Sequence, residues 1–363
     1  MRITSLRLLR FRNHLETRIV PGVARAVLLR GPNGAGKTSL LEAIHLVATG
    51  IGVKTRRDQD FVRFGSDGYR IEIGLEAPST LALRFRNEEG RRAEADGALL
   101  PRWTDLIGRL RMTLLRPDDI ALIEGAPDLR RRYLDVMLCQ ADRSYFDALR
   151  RYRRAQRQMT RVDPRDVRLV TPFRRLLHAE MPMIFERRAR CVEELRRHLR
   201  AMAETMGLRA ALDLEYAPGI PADAAGRDWK GAADRCLEEW NRLDRVAAFA
   251  PFGPGRDDLR PMMNGVPARR FGSQGQKRIL ALLLRLAEAR FLSEVAGDDA
   301  IILMDDVLGE LDEERTRALC GLLGGLAGQV WIAGTNLSTM EEFWPDRVEF
   351  DIVDGSLQGV ETH

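Results

Sequence analysis

Gly31-Pro32-Asn33-Gly34-Ala35-Gly36-Lys37-Thr38 is a complete G-x-x-x-x-G-K-[ST] loop, and its reading decides the fold. Its glycines let the backbone curl until successive N–H groups face a phosphate chain that a Cβ would obstruct. Lys37 supplies a charge for the β- and γ-phosphates, and the Thr38 hydroxyl reaches a Mg²⁺ ion. The flanks agree with this reading. Residues 25–30 (Arg-Ala-Val-Leu-Leu-Arg) predict a short buried strand, and Leu40, Leu41, Ile44 and Val47 share one face of a helix over 39–48. Strand, glycine loop and helix N-terminus put the phosphates at the positive end of a dipole. The ligand class is a nucleoside triphosphate with Mg²⁺.

Such a loop needs a carboxylate for the metal and a group that polarises water. Residues 300–304 (Ala-Ile-Ile-Leu-Met) predict a buried strand that delivers Asp305 at its C-terminal end as the metal-side carboxylate. Asp306 follows, is expected to point to the opposite side, and is the candidate that orients the attacking water or accepts its proton.

Around these motifs, residues 1–20 alternate into a strand leading to Phe11-Arg12-Asn13. Residues 69–76 and 80–87 alternate cleanly and predict a hairpin turning at 77–79. Arginine-rich helical patterns occupy 130–140, 145–159 and 183–206, with breaks at Asp163-Pro164 and Thr171-Pro172, and they read as an inserted helical lobe. Residues 217–234 and 251–268 read as loop and connector. A strong helix is expected over 276–292, a core strand over 330–333, and a closing hairpin over 348–357 around Asp354-Gly355.

The composition, 45% apolar and 31% charged with no run of eighteen apolar residues, is that of a globular protein without a membrane span. The N-terminus is interrupted by arginines and lacks the apolar stretch of a signal peptide. Cys139, Cys191, Cys236 and Cys320 lie far apart, which indicates neither a disulfide framework nor a zinc site and predicts a cytoplasmic protein. Of 58 basic residues only four are lysine, at 37, 54, 230 and 277, and a GC-rich genome accounts for that ratio. The net charge of +5 permits nucleic-acid binding without demonstrating it. Arginines 150–157 and 187–200 are the helical candidates for DNA contact, although a solvated face explains them as well.

Two further stretches resemble a superfamily. Ser273-Gln274-Gly275-Gln276 looks like the signature loop of ABC-type ATPases, and Gly309-Glu310-Leu311-Asp312 looks like their D-loop. The resemblance implies that Ser273, Gly275 and Gln276 meet the γ-phosphate held by a second subunit, so that the active unit is an ATP-dependent homodimer. More narrowly, the chain resembles the RecF family along nearly its whole length. The residues that carry this are Leu8 to Asn13, the P-loop extended through Glu42-Ala43-Ile44 to Thr49-Gly50, Arg116 to Asp119, Gly125-Ala126-Pro127 before Arg130-Arg131-Arg132, Gly253 to Leu259, and Leu303 to Leu308.

That resemblance implies an α/β fold: an ABC-type P-loop ATPase head with an N-terminal antiparallel β subdomain and an inserted mainly helical lobe. The divisions are expected at 1–128, 129–250 and 251–363. It also implies a DNA repair and replication role in the response to damage, with weak DNA-stimulated ATPase activity. The dimer would bind duplex DNA at single-strand gaps, with RecR and RecO as partners and RecA loaded indirectly. Gly31 to Thr38, with Arg12, would hold ATP, Thr38 and Asp305 the Mg²⁺, and Lys37 and Asp306 would act in hydrolysis. This chain has Gly255 where the family usually has histidine, Gly309 where the D-loop normally begins with serine, and Thr335 where transporter ATPases keep a histidine. Asp306 stands where ABC proteins at large carry glutamate, and the shorter carboxylate predicts slow turnover.

Three other classes share the P-loop chemistry. A transporter ATPase is opposed by the separation of 236 positions from Lys37 to Ser273, and an SMC-type ATPase by an insertion too short and proline-broken for a long coiled coil. A defence-type ATPase would be marked by a fused nuclease-like module, for which no metal-binding cluster is evident.

Overall fold

The computed structural model describes residues 1–363 apart from 77–78, 164–165, 222–227, 243–250, 308, 310–312, 327, 336 and 363. The chain opens with β1 (Ile3–Phe11), β2 (His14–Ile19), β3 (Ala26–Arg30), α1 (Lys37–Thr49), β4 (Gly68–Leu75), β5 (Ser79–Arg86), β6 (Gly90–Ala95), β7 (Ala98–Leu99) and β8 (Met112–Leu115). Then come α2 (Ala121–Glu124), α3 (Pro127–Ala141), α4 (Arg143–Met159), α5 (Val167–Thr205), β9 (Leu212–Ala217), α6 (Trp229–Arg242), β10 (Asp258–Met263), β11 (Val266–Pro267), α7 (Ala268–Phe271) and α8 (Gln274–Ala296). It closes with β12 (Ile301–Asp305), α9 (Glu313–Leu326), β13 (Gln329–Ala333), α10 (Ser338–Phe343), β14 (Arg347–Val353) and β15 (Ser356–Thr362). Two compact units result. The first comprises 1–119, 202–208 and 281–363, the second 120–201 and 209–280.

The first unit holds two six-stranded sheets. One runs β15-β14-β3-β13-β12-β8, parallel except for its β14–β15 edge. Its central strands are apolar without alternation, since a parallel sheet is covered on both faces. Ile301 to Met304 and Ala26 to Leu29 are accordingly buried throughout. The other sheet, β2-β1-β4-β5-β6-β7, is antiparallel and alternates. Leu6 and Leu8 pair with Ile73 and Ile71, which pair with Leu81 and Leu83, all on the buried face. The opposite face carries ion pairs such as Arg7–Glu16 and Arg70–Glu94, both 2.7 Å.

A buried glutamine joins β1 to the parallel sheet. Gln329 accepts from the Ile3 N–H and from Trp331 Nε1, both at 2.9 Å, and donates to the Ile3 and Ala24 carbonyls. All four hydrogen-bonding positions of the amide are thus used, which is the condition for burying it.

The second unit places α3 to α6 with a small sheet, β11-β10-β9. Three sequence expectations need correction here. Thr171-Pro172 does not break the helix: α5 runs 39 residues through Pro172 and Pro182. The lost hydrogen bonds are outweighed by an apolar stripe that includes Leu177, Met181, Ile184, Phe185, Leu195 and Leu199, all at most 1% exposed. The stretch 217–234 is not all loop, because α6 starts at Trp229 and buries a face of Ala232, Ala233, Cys236 and Trp240, small residues for the most part that give little periodic signal. The connector 251–268 contains the β10–β11 hairpin, turning at Asn264-Gly265, an Asn-Gly signal that periodicity alone passes over. The breaks and turns expected at Pro164 and at 77–78 lie outside the described residues.

Replacing Gln329 with leucine should strand the Ile3 and Trp331 N–H groups and two carbonyls, destabilising the first unit by about 3 kcal/mol. A urea-unfolding midpoint equal to that of the unsubstituted protein would contradict this role.

Candidate nucleotide-binding site

The loop 31–36 leaves β3 and enters α1 with Gly36 in the left-handed region, φ 113°. A Cβ at Gly36 would lie 2.6 Å from His14 Nε2 and 2.8 Å from Asn13 Nδ2, so no other residue fits. Those two side chains hold the loop from behind. Asn13 Nδ2 donates to the Ala35 carbonyl at 3.0 Å, the Gly355 N–H donates to that same carbonyl at 2.8 Å, and His14 Nε2 sits 3.1 Å from the Gly36 carbonyl. With the Ala35 and Gly36 carbonyls held backward, the loop leaves the first-turn N–H groups of α1, which have no partner within the helix, for the cleft.

Residues 33–39, Asp305, Asp306 and 333–335 line that cleft, about 150 Å³ in volume. Lys37 spans the loop and donates from Nζ to the Gly31 and Pro32 carbonyls at 2.6 and 2.9 Å. Burial lowers the pKa of its ammonium, opposed by Asp306 and Asp305. The Thr38 hydroxyl donates to Asp305 Oδ1 at 2.8 Å. Burial raises the Asp305 pKa, against the Thr38 hydrogen bond and the Arg116 charge, while neighbouring Asp306 adds to the rise.

Asp306 departs from the expected orientation. It is exposed and lines the same cleft as Asp305, because its backbone is left-handed, φ 54°, with its N–H donating to the Ala333 carbonyl at 2.9 Å. That break in the strand conformation cancels the alternation that would have turned it away.

The donor set suits Mg²⁺ with a nucleotide. One hydroxyl and one carboxylate, hydrogen-bonded to each other at the foot of an N–H-lined loop, are the few protein oxygens a Mg²⁺ ion takes beside phosphates and waters. Thr38 and Asp305 would hold the ion, and Lys37 with the loop amides the phosphates.

Arg12 lies outside this lining. Its Nε donates to Glu42 Oε2 at 2.8 Å, its Nη1 donates to the Asp60 carbonyl, and its guanidinium stacks 4.9 Å over the Phe61 ring. Glu42 is the buried carboxylate of α1, so Arg12 braces the helix that carries Lys37 and Thr38.

Ser273, Gly275 and Gln276 belong to the second unit. Ser273 N–H donates to Gln276 Oε1 at 2.9 Å, and Gln276 N–H donates to Ser273 Oγ at 3.3 Å, a reciprocal cap at the start of α8. Gly309 is exposed, and Glu310, Leu311 and Asp312 lie outside the described residues. Sequence reasoning misses the clasp made by Asn13, His14 and Gly355. Of the three only Asn13 belongs to a functional motif, and no local signal joins positions more than 300 residues apart.

A model of the AAA domain matches residues 5–160. The DNA replication and repair protein RecF of Parasynechococcus marenigrum strain WH8102 is 33% identical over 352 residues, covering 92% of this chain and 94% of that one. The protein of the same name from Heliobacterium modesticaldum is 34% identical, covering 93% of each. Among solved structures, the recombination mediator protein RecF with ATPrS superposes with a TM-score of 0.87 at 24% identity, over 98% of this chain and 97% of that one. An Smc head domain from Pyrococcus furiosus gives a TM-score of 0.58 at 14% identity, over 99% and 96%, which is a likeness of fold. With a phosphate loop, a paired threonine and aspartate, and full-length likeness at this identity, the chain belongs to the RecF family of DNA replication and repair proteins, P-loop ATPases built on the ABC-type head.

Proposed function

We propose that this chain binds ATP and Mg²⁺ and closes as a dimer on duplex DNA at single-strand gaps, with slow hydrolysis resetting the clamp. The Thr38–Asp305 hydrogen bond carries the reading, because it joins P-loop and metal-side strand at the foot of one cleft. In the dimer, each P-loop would face the partner's Ser273–Gln276 loop, which the reciprocal cap holds in shape. ATP supplies the phosphate charge that brings the two chains together. Lys37 then binds phosphate oxygens in competition with two loop carbonyls, and Asp306 accepts a hydrogen bond from water and orients it.

RecF relatives give the repair setting, and the solved RecF with ATPrS is a recombination mediator of the RecFOR pathway. RecR and RecO as partners and RecA as the indirect beneficiary are carried to this chain on that basis. No helix among the described residues is long and apolar enough to cross a membrane, and the proposed setting is the cytoplasm.

Charge pairing argues against the helical arginines as the DNA face. They are largely engaged: Arg151 with Glu180 (2.5 Å), Arg187 with Asp142 (2.9 Å), and Arg196 and Arg200 with Asp213 (2.5 and 2.8 Å). Residues 54–64 of the first unit differ. Asp58 accepts from Tyr69 and Arg91, and Asp60 accepts from Thr55, while Arg56 and Arg57 stay exposed outside any ion pair among the described residues; exposed Lys54 instead acts on Asp305. Phe64 is fully exposed beside them. Cations freed of carboxylates fit phosphate contacts independent of base sequence.

Lys37→Ala should lower nucleotide affinity by about a hundredfold, the loss of a charge-assisted contact of roughly 3 kcal/mol. Titration with a fluorescent ATP analogue checks this, and unchanged affinity would remove the loop from the mechanism. Asp306→Asn should leave ATP affinity intact, slow hydrolysis by about 10²- to 10⁴-fold, and accumulate dimers in size-exclusion runs with ATP. Normal turnover in that variant would assign the water to another residue. An Arg56→Ala, Arg57→Ala double variant should weaken duplex binding in anisotropy titrations and reduce the log–log salt slope by about 2. An unaltered slope would place the DNA elsewhere.

A further inference from the structure

We propose that Glu124 is a positioning residue for the signature loop, holding Gln274 and Lys277 so that Ser273 can serve the partner chain's nucleotide. The inference rests on the two-chain site proposed above and concerns a residue outside every motif of that site.

The geometry lies wholly within the second unit. Glu124 ends α2, and its Oε1 accepts from Gln274 Nε2 and from Lys277 Nζ, both at 2.9 Å. One carboxylate oxygen therefore holds the second signature residue and the residue that follows the signature. The first turn of α8 has no acidic residue of its own, although a helix N-terminus favours one and disfavours a lysine. Glu124 supplies that charge from outside. Lys277 is 9% exposed, its stem lying so close to Gly272 that a Cβ there would come 3.2 Å from Lys277 Cγ. In a chain with four lysines among 58 basic residues, a buried one at this place points to a geometry that arginine's planar fork would not fit.

Glu124 is itself anchored. Arg130 donates to the Gly125 carbonyl at 2.8 Å and makes a bidentate pair with Asp258 at 2.8 and 3.0 Å. Arg131 donates to the Asp257 carbonyl at 2.8 Å. The Asp257 side chain meets the fully buried Arg188 at 2.6 Å, and Arg188 also meets Asp135 at 2.7 Å. The carboxylate that holds the signature loop thus stands on a frame that cannot shift without uncovering buried charge.

The loop it holds is arranged to donate. Ser273 Oγ accepts from the Gln276 N–H, which leaves the hydroxyl proton for an acceptor outside the loop. Losing Glu124 would free Gln274 and the Lys277 ammonium beside that serine. Glu124 is 36% exposed and a glutamine there would still offer Lys277 an acceptor oxygen, so the expected defect is in catalysis and dimer closure rather than in stability.

Glu124→Gln keeps the shape and removes the charge. Fluorescent ATP-analogue affinity should stay within about twofold and the thermal unfolding midpoint should not move, whereas turnover and ATP-dependent dimerisation should fall at least about tenfold. Lys277→Met should give the same split, and the double variant should be no worse than Glu124→Gln alone, since both act through one contact. Mixing supplies the decisive arm. Lys37→Ala chains lack a working P-loop but keep an intact signature loop, and Glu124→Gln chains are the converse. An equal mixture should regain about a quarter of the unsubstituted rate, since about half the dimers would be mixed, each with one competent site. Ser273→Arg mixed with Lys37→Ala is the control. Recovery in the control but not with Glu124→Gln, or full turnover by Glu124→Gln alone, would overturn the inference. No recovery in the control would instead remove the two-chain site, and this inference with it.

Discussion

The Ala35 carbonyl accepts two hydrogen bonds, from Asn13 Nδ2 and from the Gly355 N–H, and the site depends on that clasp. A carbonyl in a glycine loop must point somewhere, and whichever way it points, the adjoining amides face the other. Donors from the β1–β2 turn and from the β14–β15 turn draw it away from the cleft. Thr17 closes the ring behind: its hydroxyl lies 2.8 Å from His14 Nδ1 and donates to the Gly355 carbonyl at 2.8 Å. The antiparallel sheet, the C-terminal hairpin and the parallel sheet therefore meet at one peptide group. This gives a physical reason for an antiparallel subdomain on a nucleotide-binding head: it is the back wall of the loop.

Charge organisation follows a similar economy. An arginine-rich chain risks binding any polyanion on any face, and pairing is the remedy. Most of the arginines on α4 and α5 that looked available are tied to carboxylates of the same unit, and Arg188 is buried altogether between Asp135 and Asp257. Such buried pairs add little net stability, but removing one partner strands the other, so they hold a single arrangement. A local group outside such pairing stands at Arg56 and Arg57, and a modest net charge of +5 conceals it.

The sequence was legible where local rules act alone. The P-loop, the apolar strands at 26–30 and 301–305, and the closing hairpin at Asp354-Gly355 carry their own chemistry in adjacent residues. It was illegible where partners are distant. Pro172 is a helix breaker by local rule, and only the packed stripe of α5 overrides it. Nothing beside Arg153 or Arg187 announces Asp135 or Asp142 as its partner. The left-handed turn at Asp306 was invisible too, because aspartate tolerates that region without a glycine to mark it.

That turn bears on how hydrolysis is paced. Asp305 and Asp306 share one cleft, where strand alternation would have separated them. Asp305 carries the burden, its pKa raised by burial and by Asp306, with Thr38 and Arg116 opposing. A divalent cation held by Thr38 and Asp305 would bring positive charge into the cleft that both carboxylates line. On the function proposed above, Asp306 would orient water beside an occupied metal position. Hydrolysis would then need the assembled site, which is what the proposed resetting step requires.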